Sequence, residues 1–303
     1  MLIKTFAGAL MLASTVFTGA AFAESYTREP SHQIQQIRNA TIKVTYGETT
    51  FLIDPMLAEQ GAYPGFPDTY RSELRNPLVG LPIAAEDVIE GTDAVIVTHT
   101  HLDHWDDAAQ KLLPKNIPLF VQNGADAELI RSQGFKDVRI LDGEAEFGGV
   151  ILHKTGGQHG SNTLYAIPEL AKALGEIMGV VFEAEGQETT YVVGDTVWRD
   201  EVVQSLERFQ PDVVVLNAGA AELTGFEGDS IIMGKEDALR VHRALPDADI
   251  VAVHMDAVNH MTLSREELAE FVENEGIDER VLIPADGEIL SFLTRTPLKQ
   301  MIQ

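Results

Sequence analysis

The run Thr98-His99-Thr100-His101-Leu102-Asp103-His104 places three imidazoles and a carboxylate within six positions, directly after the apolar stretch Ala94–Val97. So dense a polar cluster at the end of a core strand is hard to explain as packing. Neutral imidazole and carboxylate are the ligand set of zinc and its first-row neighbours. Side chains two apart on extended chain point the same way, so His99 and His101 can grip one ion from a single face. Asp103 and His104 fall where the chain turns into a helix over Asp106–Leu113. At that bend they can face another direction and serve a second ion.

Two ions need about seven ligands plus open positions, and three more candidates follow strand-like segments. His159, in Gly156-Gly157-Gln158-His159-Gly160, is flanked by glycines that permit close backbone approach; the alternative is an exposed loop histidine. Asp195 follows Tyr191-Val192-Val193-Gly194, and its two oxygens suit a bridging ligand. The alternative is a helix cap or Asx turn. His254 ends the apolar run Val251-Ala252-Val253, with a core histidine as the alternative. His260, six residues on, is a candidate for the substrate pocket or for plain surface. His153 lies inside a strand and reads as structural.

The elements that must position these residues alternate along the chain. Thr41–Tyr46 and Thr49–Ile53, joined by Gly47-Glu48, read as a β-hairpin ending at the turn Asp54-Pro55. Residues 58–81 carry many Gly and Pro and read as a long ordered loop that shapes the pocket. Strands are predicted over Ala94–Val97, Leu119–Val121, Val138–Leu141, Gly149–Lys154, Val213–Leu216 and Ile250–Val253, with a second hairpin from Gly179–Glu183 and Thr189–Val193. Short strands at Val281–Ile283 and Ile289–Phe292 close the chain. Helices are predicted over Asp126–Gln133 and Lys235–Ala244, and from a capping box at Ser264 to about Asn274. Residues 161–178 also shape the pocket, and within them Thr163–Ile177 reads as partly helical, interrupted by Pro168. No linker divides this pattern, which reads as one α/β domain with mixed sheets.

The chain has 303 residues, 45% of them hydrophobic and 23% charged, which is ordinary for a globular protein. Lys4, the apolar stretch Phe6–Gly19 and Ala21-Phe22-Ala23 match a secretory signal peptide over residues 1–23. Cleavage leaves a single domain over residues 24–303, periplasmic or secreted, with no stable membrane anchor. The chain has no cysteine, so disulfides and thiolate ligands are excluded, and any metal must be held by nitrogen and oxygen. A formal net charge of −25 repels nucleic acid and leaves a small molecule as the expected partner. Oligomeric state is not legible.

The order HxHxDH, lone His, Gly-Asp-Thr and strand-terminal His resembles the metallo-β-lactamase-fold hydrolase superfamily across essentially the whole mature chain. Phe51-Leu52-Ile53-Asp54-Pro55 and His254-Met255-Asp256-Ala257-Val258-Asn259-His260 look most like the branch containing the bacterial ascorbate-phosphate lactonase and related metal-dependent hydrolases. The resemblance implies a four-layer αββα sandwich of two mixed β-sheets, with a dinuclear site at one edge. It implies that His99, His101 and His159 hold one metal, that Asp103, His104 and His254 hold the other, and that Asp195 bridges them. Asp54 matches an early strand-end aspartate that orients a ligand from behind, although Asp-Pro is also an ordinary turn. The chain departs from the β-lactamases themselves, which use a cysteine at the second site or generally lack the bridging aspartate. The superfamily name therefore does not give the activity.

The expected chemistry is metal-assisted hydrolysis, with Asp103 as the catalytic acid–base group. The expected cofactors are two divalent ions: zinc first, manganese or iron as alternatives. A small ester or lactone is the first expected substrate, and a phosphodiester or phosphorylated small molecule the second. A periplasmic metal-binding protein without turnover and a diiron oxidoreductase are the readings from other classes. No G-x-S-x-G serine elbow is present.

Overall fold

The segment Val213-Val214-Val215-Leu216 shows how the sequence builds layers. Val213 and Val215 belong to one buried cluster, Val214 and Leu216 to another. The same alternation splits Ala94 and Ile96 from Val95 and Val97. A strand apolar on both faces is covered on both faces, so each of these strands needs a second sheet on one side and helices on the other.

The computed structural model describes residues 32–292 and supplies both layers. The signal-peptide reading of residues 1–23 lies outside the described residues. The first sheet holds β1 (His32–Arg38), β2 (Thr41–Tyr46), β3 (Thr49–Ile53), β4 (Ala94–Val97), β5 (Leu119–Val121) and β6 (Val138–Ile140). The second holds β7 (Glu144–Phe147), β8 (Val150–Thr155), β9 (Gly179–Glu183), β10 (Thr190–Val192), β11 (Val213–Asn217), β12 (Asp249–Val253) and β13 (Val281–Leu282). The last strand, β14 (Ile289–Phe292), returns to pair with β1. The orders are β14-β1-β2-β3-β4-β5-β6 and β13-β12-β11-β10-β9-β8-β7. In each sheet three pairs are antiparallel and three parallel. The expected αββα sandwich of two mixed sheets is what forms.

Helices α1 (Ala85–Ile89), α2 (Asp107–Leu112) and α3 (Gly124–Ser132) contribute Val88, Ala109 and Ile130 to the cluster behind the first sheet. Beyond the short α4 (Asn162–Tyr165) and α5 (Pro168–Leu174), helices α6 (Asp200–Phe209), α7 (Lys235–Ala244) and α8 (Arg265–Glu275) cover the second sheet with Leu206, Leu239 and Leu268. Ser264 caps α8 as expected: its side chain accepts from Glu267 N–H and the Glu267 carboxylate accepts from Ser264 N–H. Pro168 does interrupt the 161–178 segment. It occupies the first turn of α5 and forces extended backbone at Ile167. Strands β1 and β7 and helices α1 and α6 go beyond the elements read from the sequence. Among the described residues no helix is long and apolar enough to cross a membrane.

The parallel strands deliver the site. Asp54 follows β3, the Thr98–His104 run follows β4, Asp195 follows β10 and His254 follows β12. All leave the carboxyl ends of strands, the edge where α/β sheets carry their ligands.

Candidate metal centre

Two of these strand exits run through strained backbone. Asp54 (φ +48°) and His254 (φ +62°) both sit in the left-handed region, at a cost of about 1–2 kcal/mol for a residue with a Cβ. Backbone hydrogen bonds hold them there: Asp54 N–H donates to Ile96 O on β4 at 2.9 Å, and His254 N–H to Asn39 O in the β1–β2 turn at 3.0 Å. Gly194, just before Asp195, solves the same problem without strain. Its φ is +76°, and a Cβ there would lie 2.6 Å from Met178 O.

The seven predicted ligands converge. Ligand atoms of His99, His101 and His159 lie within 4.8 Å of one another, as do those of Asp103, His104 and His254, and those of His99, His104 and Asp195. His99 Nε2 is 3.0 Å from His101 Nδ1, and His104 Nε2 is 3.1 Å from His254 Nε2. Asp195 Oδ2 stands between the two triads, 3.1 Å from His104 Nε2 and 3.4 Å from both His159 Nε2 and His254 Nε2. All but His101, which is partly exposed, are buried.

Each ring is oriented so that one nitrogen faces inward. His104 Nδ1–H donates to Asp54 Oδ2 at 2.9 Å, His159 Nδ1–H to Ile231 O at 3.0 Å, and His101 Nε2–H to Ala173 O at 3.0 Å. Asp54 also takes hydrogen bonds from the Thr98 backbone N–H and hydroxyl, each at 2.7 Å. The Thr98 hydroxyl in turn lies 3.1 Å from His99 Nδ1. Asp54 thus ties the Thr98 backbone and hydroxyl to the His104 ring. Asn217 Nδ2 donates to Asp195 Oδ1 at 2.6 Å and leaves Oδ2 for the cluster. Asn39 Nδ2 donates to Asp103 O at 2.9 Å. Asn39 and Asn217 escaped the sequence reading. The available signal was the same as for His254: a polar residue closing an apolar strand, as Asn217 closes β11.

The electrostatics fit a cation. Burial pushes the Asp103 and Asp195 carboxyls up, but the His104 and His254 imidazoles outweigh it and hold both below the usual range, Asp195 far below. Burial also works against a charged His104, yet Asp195, Asp103 and Asp54 outweigh it and hold its pKa well above the ordinary value. His99 goes the other way: burial and the neighbouring His104 and His101 push it well down. Burial takes His159 and His260 down to about 4. Asp103 and Asp195 are thus ionised and His99 and His159 neutral, as metal ligation requires, while the carboxylates around His104 hold a positive charge there that a bound cation would replace.

A cavity of about 480 Å³ opens on this cluster through His101, Asp103 and His159. Much of its remaining lining is apolar: Phe66, Leu170, Leu174, Leu223, Phe226 and Ile231. Among the described residues no lysine or arginine lines it. His260 lines it too, only 7% exposed, with its ring edge-on to Phe66 at 4.9 Å. The 58–81 loop and the 161–178 segment both reach this cavity, as expected. The loop is a fixed wall, because buried Asn259 accepts from Phe66 N–H and Asn76 Nδ2 and donates to Thr69 Oγ1 and Tyr70 O at 2.7–2.9 Å. His153 is structural as read, paired at 2.6 Å with Glu183 on β9.

The model of the beta-lactamase superfamily domain matches residues 49–255. The UPF0173 protein YddR of Bacillus subtilis (strain 168) is 49% identical over 86% of this chain and 99% of its own. Among solved structures, a "possible metal-dependent hydrolase" from Veillonella parvula DSM 2008 aligns with a TM-score of 0.85 at 51% identity, covering 86% of this chain and 99% of that one. An isothiocyanate hydrolase from Delia radicum gut bacteria aligns with a TM-score of 0.83 at 50% identity over the same shares. These relatives give no support to the lactonase branch in particular.

Proposed function

The chain belongs to the beta-lactamase superfamily and is a metal-dependent hydrolase of that fold, and from this premise we propose that it hydrolyses a small, uncharged compound with an apolar side group. The observation that carries this reading is the cavity: it is lined by the proposed metal ligands and by apolar side chains, with no cationic side chain among the described residues to clamp a phosphate. The similarity to an isothiocyanate hydrolase makes R–N=C=S the substrate class to test first. The apolar wall accommodates an ester or lactone equally, and these come second. A phosphodiester has less to hold it.

We assign His99, His101 and His159 to one divalent ion and Asp103, His104 and His254 to another, with Asp195 between them; zinc is the first choice of metal. Ions bound there supply Lewis acidity and lower the pKa of a water toward about 7. Asp103, with an ionised carboxylate on the cavity wall, would take a proton from the attacking water and return it to the departing atom. The apolar wall holds the side group and keeps bulk water out. For an isothiocyanate the overall reaction is R–N=C=S + H2O → R–NH2 + O=C=S. The C=O double bond forms, the N=C double bond breaks while the R–N bond stays, and both water protons move from oxygen to nitrogen. We further propose export to the periplasm or medium, a small molecule as the sole partner class, and no membrane anchor after cleavage.

The test is a panel of phenethyl isothiocyanate, phenyl acetate, a γ-lactone and bis-nitrophenyl phosphate on metal-restored protein. Turnover of the uncharged substrates is expected, with the isothiocyanate fastest. The Asp103→Ala variant should lose roughly a thousand-fold or more in kcat with its fold retained. Preferred turnover of the phosphodiester, or an active Asp103→Ala, would contradict this reading.

A further inference from the structure

His260 is buried, yet its side chain makes no hydrogen bond among the described residues, and its Nδ1 is wholly enclosed without a partner. Most buried polar side-chain atoms have a partner. Outside the metal cluster, His32 and His153 each reach a partner through Nε2, Thr190 Oγ1 at 3.0 Å and Glu183 at 2.6 Å, although His32 Nδ1 is itself unpartnered; His260 reaches none through either nitrogen. Nor is the ring free to seek one. Its own carbonyl accepts from Glu222 N–H at 3.1 Å. Asn259 before it donates its N–H to Asn76 Oδ1 at 2.8 Å, and Met261 after it accepts from Arg71 Nη2 at 3.1 Å. Phe66 stands edge-on to the imidazole. A fixed, unsatisfied imidazole on the wall of a reaction cavity is built for a group that arrives from outside the protein.

We infer that His260 hydrogen-bonds the substrate at the heteroatom whose bond to carbon breaks. The inference rests on the hydrolase reading above and adds a specific contact to it. A neutral imidazole offers one N–H donor and one lone pair. His260 lines the same cavity as the proposed metal ligands His101, Asp103 and His159 and as the apolar side chains Phe66, Leu174 and Phe226. The N–H therefore meets the nitrogen of an isothiocyanate or the alkoxy oxygen of an ester, where negative charge develops.

The test compares wild type, His260→Ala and His260→Gln as metal-loaded proteins on phenethyl isothiocyanate, phenyl acetate and nitrophenyl acetate. In His260→Ala kcat on phenyl acetate should fall about 100-fold, KM should move by less than about three-fold, and metal content should not change. The loss should be smaller on nitrophenyl acetate, whose leaving group needs no help, and His260→Gln should recover part of it. An equal loss on both esters, wild-type kcat or a loss of metal would overturn the inference. Should wild type turn over none of the three, the substrate reading fails, and phenylacetate binding by calorimetry then decides the contact. Weaker binding to His260→Ala supports it, and identical titrations of the two proteins overturn it.

Discussion

At the residue scale, the centre depends as much on the groups behind the ligands as on the ligands. Asp54 fixes His104 and Thr98, and Thr98 reaches on to His99. Asn217 ties down one oxygen of Asp195 and so selects which lone pairs face the cluster. Removing such an outer partner lowers metal affinity by about 10–100-fold in comparable sites. Asn217→Leu should therefore weaken metal binding by about that factor in competition with a fluorescent chelator, with little change in secondary structure. Unchanged affinity would mean that Asn217 only fills space. The seven side chains that converge were legible in the sequence as ligand candidates because imidazoles and carboxylates at the ends of apolar strands are costly to bury unless a cation shares them. Asn217 and Asn39 were not. Asparagine after an apolar strand reads as a turn former, and the partners lie 22 and 64 residues away in sequence.

At the element scale, the strands with apolar residues on both faces announced themselves, and β3, β4, β5 and β9 fall where expected. Strand β7, Glu144-Ala145-Glu146-Phe147, did not, because it is an exposed edge whose residues alternate with charges. Strand β1 hid behind its glutamines, although Ile34 and Ile37 are fully buried. That strand carries a pH-sensitive joint between the sheets. His32 on β1 meets Thr190 on β10, its ring packs on Tyr46 and Phe292, and burial lowers its pKa to about 4. An unfolded histidine titrates near 6.5. The unfolded chain thus takes up this proton first as pH falls. His32 contributes its full stability above about pH 6.5 and loses it progressively toward pH 4, by at most about 3 kcal/mol. At equal metal loading, His32→Gln should flatten this part of the acid-unfolding profile in denaturant titrations at stepped pH. An identical slope in the two proteins would show that the joint does not titrate.

At the scale of the whole molecule, the fold is two similar half-sandwiches, each sending its parallel strands to one edge, with β14 tying the end of the chain back to β1. The halves contribute unequal parts of one centre. Asp54 and the run from His99 to His104 come from the first sheet, and His159, Asp195 and His254 from the second. One α/β domain with mixed sheets was readable from the alternating apolar segments and the sandwich only from the family resemblance, whereas the meeting of the two edges is a property of folding that no local pattern encodes. A net charge of −25 surrounds this centre, which suits an uncharged substrate better than an anionic one. The central claim is that both halves close around a pair of cations. Anomalous diffraction at the absorption edge of the metal retained through purification tests it directly. The account predicts two peaks, one among His99, His101 and His159 and one among Asp103, His104 and His254, with the Asp195 carboxylate between them. Crystals of metal-replete protein with no peak at this cluster, or with the ion bound elsewhere, would contradict it.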